Sequence, residues 1–388
     1  MKKVLFLIGA IDSGGVSKSL LNTLNAFDRT HYDVHLMVMS GQMGDFSVYL
    51  PEDIKVHTII GAELALNGWQ GVLGYIGRLQ LRCALLSIVR MFVSLFDKSM
   101  AAWLLSRLFP PLEESFDMIV DYNGQQQLYY MVDKLRARKK VTFFHSNYAQ
   151  WPYYKNMDKR YFPKVDAVFT ICKQCVESLK TFFPEVRDKI HLFENITSPE
   201  IIEQLAHESV DRSKFKGKIF VTIGHVWYNK GIDLAIGAAS ILKRQGVVFT
   251  WLFLGKIAEP KWIDAVRSKN LQEEMLFLGV KSNPYPYLKM ADVVVHPSRF
   301  EGKSITLDEA KLLCKPIVVT GFSTVHDQFL DGKNATICEM RGESIARAIV
   351  ELLSNENLRE KYVNRLKMHK VDNSIEVKKL YKILEVDA

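Results

Sequence analysis

Apolar residues in this chain gather into short, β-branched runs separated by longer stretches with helical spacing, and this alternation runs through twice. In the first half, positions 3–9, 33–38, 117–121, 139–144 and 166–171 read as buried strands. The second half repeats the scheme at 218–224, 248–254, 275–279, 292–296 and 316–319. Continuous apolar runs of this length suit strands covered on both faces, so the pattern predicts parallel sheets flanked by helices. Two doubly wound α/β domains in tandem follow. The polar break at 194–199 reads as the linker. Asn373 and Ser374 introduce a closing helix over 375–385. The expected division is therefore 1–197, 198–370 and a terminal segment 371–388. No internal repeat or low-complexity tract interrupts it.

Between 70 and 108 the pattern changes character, because leucine, isoleucine, valine and phenylalanine are interrupted by Arg78, Arg82, Arg90 and Lys98. No uncharged run reaches the ~20 residues needed to span a bilayer. The spacing predicts an amphipathic helix or helix pair, with Arg78, Arg82 and Arg90 within about 120° of one another at ~100° per residue. Further on, 151–155 and 159–162 interleave aromatic and basic groups. Two readings stand: a patch for an anionic membrane surface, or ordinary domain helices with solvated arginines.

Composition adds bounds. At 388 residues the chain exceeds what one core supports, and its 48% hydrophobic content is ordinary for a globular protein. The net charge of +8 is spread thinly. With no helix-turn-helix, zinc-finger or RNA-stacking signature, nucleic acid is not an expected partner. Cys83, Cys314 and Cys338 are scattered singly, which fits a reducing compartment. Cys172 and Cys175 form a CxxC without a second ligand pair, and read as packing at a strand-to-helix turn. The apolar run at the amino terminus is short and enters a glycine loop, so it reads as a strand and not as a signal peptide.

The candidate chemistry lies at 298–320, which reads as loop, helix and strand after the apolar run 292–296. Glu301 sits in the loop beside Gly302, and Glu309 lies in the helix. In open α/β sheets ligands collect where strands end and helices begin, since free N–H groups and the positive helix end face outward there. Glutamate early in a helix also has an ordinary electrostatic explanation, which covers Glu309 but not Glu301. A second stretch, 218–235, reads as strand, glycine turn at Gly224 and helix start after Lys230 and Gly231. An ammonium beside a helix N-terminus suits a diphosphate. Two further places are weaker alone: the loop 9–17 with Gly14 and Gly15, and His145 at the end of an apolar strand.

These motifs resemble those of the retaining glycosyltransferases of family 4, which have the GT-B fold. The 298–320 segment is similar to the family's E-x7-E signature, and 224–231 to its G-R-x4-K-G motif, with His225 where the family has arginine. The resemblance implies two Rossmann-like doubly wound domains facing an interdomain cleft, an amino-terminal acceptor domain and a carboxy-terminal donor domain, with 371–388 crossing back. It implies that Glu301 lies by the donor sugar and Glu309 holds the ribose hydroxyls. Lys230, Gly224 and His225 would serve the donor phosphates, with Gly302, Lys303, Ser304 and Ile305 completing the donor site. Gly14 and Gly15 would face the phosphates and acceptor, and His145 the donor sugar. Glu301 and His145 are thus the expected catalytic pair.

The implied activity is transfer from a UDP- or GDP-sugar to a glycan or lipid-linked acceptor, with retention, in capsule, O-antigen or exopolysaccharide synthesis. The implied location is cytoplasmic or peripheral on the inner face of the plasma membrane. The chain has no D-x-D sequence, so no metal or other cofactor is expected. Two alternatives share the fold: a sugar-nucleotide epimerase, and a catalytically silent sugar-nucleotide-binding subunit.

Overall fold

The computed structural model describes residues 1–386 apart from Ser13, Ile60 and Val371, and Asp45 by its backbone alone. The chain divides into two compact units, Met1–Ile196 with Ser374–Ala388, and Thr197–Asn373.

The first unit is built on seven parallel strands: β1 (Lys2–Ile8), β2 (Tyr32–Val38), β3 (Lys55–Thr58), β4 (Ser115–Asp121), β5 (Arg136–Phe144), β6 (Ala167–Thr170) and β7 (Ile190–Leu192). Their order is β3-β2-β1-β4-β5-β6-β7. Alternation along β1 shows how a wholly apolar run serves both faces. Leu5 and Leu7 enter one apolar cluster, while Val4, Phe6 and Ile8 enter the other. The edge strands β3 and β7 escape the apolar pattern because they are short and partly exposed.

The second unit has six parallel strands: β8 (Lys218–Ile223), β9 (Phe249–Leu254), β10 (Met275–Gly279), β11 (Val293–His296), β12 (Ile317–Thr320) and β13 (Thr336–Cys338), in the order β10-β9-β8-β11-β12-β13. In both sheets the strand order reverses beside the first strand, between β1 and β4 and between β8 and β11. Such a switch point opens a crevice at the carboxyl ends of the strands. The loops leaving β8 and β11 carry the two motifs singled out above.

The carboxy-terminal helix Lys378–Glu385 belongs to the first unit. Leu380 and Leu384 are fully buried there, each worth about 1.5–3 kcal/mol. Tyr381 stacks on Tyr32 with centroids 4.9 Å apart and accepts the Asp28 N–H at 2.6 Å. Cys172 caps the helix Lys173–Phe182, its Sγ accepting the Cys175 N–H at 3.3 Å; both side chains are buried, with their sulfurs 3.0 Å apart and not joined in a disulfide.

The 70–108 stretch departs from expectation. It forms three helices, Gly68–Gly77, Leu81–Val93 and Lys98–Leu108, and not one or two. The chain turns at Leu79, whose φ of +58° no helix accommodates. Arg78 is consequently on a different helix from Arg82 and Arg90. Arg78 ends the first of these helices and reaches Glu63 at 3.5 Å, Arg82 is exposed, and Arg90 is half-buried. Burial depresses the Arg90 pKa, and its Nε has no hydrogen-bond partner among the described residues. What the helices and the turns between them present instead is apolar: Trp69, Leu73, Leu79, Leu85, Phe92, Leu95 and Phe96 are each more than 60% exposed. No helix among the described residues is long and apolar enough to cross a membrane.

Candidate active site

β8 ends at Ile223, and Gly224 (φ +149°) turns the chain off the strand. The φ is what favours glycine there, since an added Cβ would only touch Lys230, whose Cδ and Cε pass 3.4 Å from its place. The turn Tyr228–Lys230 then closes on Gly231, which takes the left-handed φ of +67° and starts the helix Ile232–Arg244. Next door, β11 ends in His296, and the chain runs through Pro297 and Ser298 to Glu301.

The two loops are laced together. Arg299 makes a two-pronged ion pair with Asp233, Nη1 to Oδ1 at 2.7 Å and Nη2 to Oδ2 at 2.6 Å. The Arg299 guanidinium also donates to the Tyr228 carbonyl at 2.9 Å and lies 3.9 Å from the Tyr228 ring centroid. Its backbone N–H donates to the Asn229 carbonyl at 2.9 Å.

Held this way, Lys230 and Glu301 meet although 71 positions separate them: Nζ lies 2.5 Å from Oε1. His296 Nε2 approaches the same oxygen at 2.8 Å. Burial opposes the charged form of Glu301, but the Lys230 ammonium and the His296 N–H more than offset it. The carboxyl therefore stays ionised well below the usual range. Burial likewise pushes the His296 imidazole down, only partly countered by Glu301, so His296 is neutral near pH 7. A carboxylate can only accept, which places the imidazole proton on Nε2. The Glu301 carbonyl in turn accepts from Thr324 Oγ1 at 2.9 Å.

Glu309 lies in the helix Ile305–Leu312, buried, with Oε1 accepting from the Tyr285 hydroxyl at 2.9 Å. Gly302 is buried, and Ile305 begins the helix. Ser304 is fixed at the helix start by Gln328, whose amide accepts the Ser304 N–H and donates to its carbonyl, both at 2.9 Å. Lys303 is folded toward Asp308 at 3.8 Å, which draws its charge into the protein. His225 is exposed on the loop after β8. Two buried polar atoms of these loops, Trp227 Nε1 and Ser298 Oγ, have no hydrogen-bond partner among the described residues.

His145, Gly14 and Gly15 lie in the first unit. Gly14 precedes the helix Gly15–Ala26, but its N–H donates to Asp12 Oδ1 at 2.7 Å, and Ser17 Oγ joins the same oxygen at 2.9 Å. A carboxylate thus already faces that helix start. Ser13, between them, lies outside the described residues. His145 follows β5, its ring 4.8 Å from that of Tyr122 and 5.6 Å from that of Phe143. Burial pushes its pKa down to about 4, while the Tyr122 backbone and Asn195 side chain engage the ring. Nε2 is buried without a hydrogen-bond partner among the described residues. Tyr122 ties this histidine to the glycine loop's helix, its hydroxyl lying 3.0 Å from Ser19 Oγ and 2.8 Å from Thr23 Oγ1.

Among the described residues, one group could offer three ligand atoms to a metal: His35, His57 and Glu114, in the first unit. Its atoms are already engaged. His35 Nδ1 and His57 Nε2 are 2.7 Å apart, one N–H donating to the other's lone pair, and Lys3 holds Glu114 at 2.5 Å.

Residues 206–368 match the family Glycosyl transferases group 1. This segment is a group 1 glycosyltransferase domain. Among curated proteins, the chain is 27% identical over 209 residues to the N-acetylgalactosamine-N,N'-diacetylbacillosaminyl-diphospho-undecaprenol 4-alpha-N-acetylgalactosaminyltransferase of Campylobacter jejuni, covering 53% of this chain and 56% of that one. It is 25% identical over 171 residues to the poly(ribitol-phosphate) alpha-N-acetylglucosaminyltransferase of Staphylococcus aureus, covering 43% and 34%. The chain thus spans about half the length, or less, of these relatives. Among solved structures it resembles Anabaena HepE in complex with UDP and glucose, with a TM-score of 0.68, 16% identity and full coverage of both chains. The S. aureus protein TarM gives 0.69 at 13% identity, again over both whole chains. The fold is that of the GT-B structures: two α/β domains, each on a parallel sheet.

His296, Arg299 with Asp233, Tyr285 and Gln328 escaped the sequence reading. Arg299 and Asp233 lie inside the two motifs, and an arginine in one with an aspartate in the other was the available signal. His296 read as the tail of an apolar strand, and its polar character at the strand's carboxyl end was the sign.

Proposed function

We propose that the protein is a retaining glycosyltransferase that moves a sugar from a UDP- or GDP-sugar to a glycan or lipid-linked acceptor in bacterial surface-polysaccharide synthesis. The observation that carries this reading is the convergence of Lys230, Glu301 and His296 at the switch point between β8 and β11. Lys230, with the backbone after Gly224 and with His225, binds the diphosphate. Glu301 orients the donor sugar. Glu309 takes the ribose hydroxyls, and Gly302, Lys303, Ser304 and Ile305 line the donor. His145 serves the donor sugar, and Gly14 and Gly15 serve the acceptor side.

In the reaction the bond between the anomeric carbon and the diphosphate oxygen breaks and a bond to the acceptor oxygen forms. The acceptor proton leaves with the diphosphate. Negative charge grows on the leaving group, so an ammonium already in place acts where charge develops. The C. jejuni relative's name describes a diphospho-undecaprenol acceptor, which supports a lipid-linked one here.

The test is a panel of UDP- and GDP-sugars scored by thermal stabilisation, since a ligand at 100 times its Kd adds about 2.7 kcal/mol. No shift with any of them would sink the reading. Glu309→Ala should weaken donor binding by roughly 1.5–3 kcal/mol in a folded protein. Unchanged donor affinity by calorimetry would remove Glu309 from the site. The transfer is metal-independent, with cationic groups of the protein neutralising the diphosphate. Saturating EDTA should therefore leave the initial rate unchanged, and a loss restored by magnesium or manganese would contradict this.

The protein also contacts anionic membranes peripherally, through the exposed apolar side chains of the three helices between 68 and 108 and of the turns that join them. Replacing Phe92, Leu95 and Phe96 with serine should release it from anionic liposomes in flotation while donor binding is spared. A wild-type protein that stays unbound at low salt would rule this contact out.

A further inference from the structure

The ammonium of Lys230 has two claims on it. In the structure it neutralises Glu301, while in the proposed reaction it binds the donor diphosphate, which carries more negative charge than one carboxylate. Binding the donor therefore draws Lys230 away from Glu301, and a buried carboxylate that loses the cation paired with it is costly unless something else holds it. The described residues supply one candidate. His296 Nε2 lies 2.8 Å from Oε1, the same oxygen that Lys230 touches, so neither contact engages Oε2.

We propose that His296 is the positioning residue of the site: its neutral Nε2–H holds Oε1 when the diphosphate takes Lys230, keeping Glu301 aimed with Oε2 directed at the donor sugar. The inference rests on the donor reading above. A neutral donor suits the task, because it fixes orientation without cancelling the charge that Glu301 brings to an oxocarbenium-like sugar. The ring cannot drift. It is 2% exposed, and Phe322 packs against it with centroids 6.2 Å apart. The His296 and Ser298 carbonyls both accept from Thr320 Oγ1, at 3.2 and 2.5 Å, which pins the backbone on either side of Pro297.

Two variants and one spectrum test this. His296→Phe keeps a flat ring without a donor, and His296→Gln places an amide N–H where Nε2 was. The phenylalanine variant should lose at least twentyfold in kcat, with KM for the donor sugar changed less than threefold. The glutamine variant should recover most of that loss. In the phenylalanine variant the acid limb of kcat should also move to higher pH, because Glu301 without this hydrogen bond takes up a proton more readily. Equal loss in both variants, or a loss confined to KM, would show a merely structural role and overturn the proposal.

A readout independent of turnover uses histidine-labelled 15N spectra, with the His296 signal assigned by its absence from the glutamine variant. At pH 7.5 the ring should be neutral with the proton on Nε2, both alone and with saturating UDP or GDP. An imidazolium, or a proton on Nδ1, would refute the assignment even in a protein that shows no transfer. Failure of the donor reading would appear separately, as no thermal shift with either nucleotide.

Discussion

Replacing Lys230 by alanine should lower kcat/KM for the donor sugar by about 10²–10³-fold, equivalent to ~3–4 kcal/mol of transition-state stabilisation. Both parameters should suffer. Lys230 meets charge that is present in the bound diphosphate and larger in the transition state, so its loss raises KM and lowers kcat together. The variant also leaves Glu301, whose side chain is only 13% exposed, with a hydrogen bond from His296 but without the Lys230 ammonium. Glu301→Gln should behave differently. It keeps the size and most hydrogen bonds of the side chain while removing its charge, so turnover falls and donor affinity is largely kept. Steady-state kinetics on both variants, with donor binding measured by calorimetry, separates the roles. Full activity in either would count against the proposed site.

Gly231→Ala should destabilise the second unit by roughly 3–5 kcal/mol, near the upper end of what single substitutions do. Two effects add. The backbone there has a φ of +67°, and a Cβ would stand 1.8 Å from the Pro297 carbonyl oxygen, on the very segment that leads from His296 to Glu301. Gly246 is the internal control, since its φ of +77° is equally left-handed but nothing lies within 4 Å of the added carbon. Gly246→Ala should cost only the backbone term, about 1–2 kcal/mol. Denaturant unfolding followed by tryptophan fluorescence reads both. Equal costs would show that the Pro297 segment gives way and that the loops are not closely packed.

Much of the fold was legible because the central strands are buried on both faces, so Val4–Ile8 or Val293–Val295 can be read only as apolar runs. The edges were not legible. β3 has Lys55 and Val56 exposed, and β13 is three residues of intermediate burial, so neither shows a run or an alternation. The helical reading of 70–108 failed at Leu79, because nothing in a leucine announces a positive φ. That one turn took Arg78 off the face it was expected to share.

At the site, Lys230 and Glu301 were each readable from a strand end followed by a glycine turn. Their contact was not, because it depends on β8 and β11 being neighbours, which sequence order conceals. Asp12 illustrates the reverse case. The glycine loop looked open to an anion, yet a carboxylate two residues away folds back onto the Gly14 N–H. His225 stands where the resembling family has arginine and is exposed on its loop, whereas the Lys230 ammonium is ion-paired with Glu301.

The account's central claim, that Lys230 and Glu301 serve transfer from a nucleoside-diphosphate sugar, is tested most directly by acceptor-dependent release of nucleoside diphosphate. The wild-type protein should release UDP or GDP from its donor when a glycan or lipid-linked acceptor is present, with the new bond keeping the donor's anomeric configuration by NMR. Lys230→Ala should reduce that release at least a hundredfold. Release at the wild-type rate in the variant, or conversion of the donor to its epimer without acceptor, would contradict it.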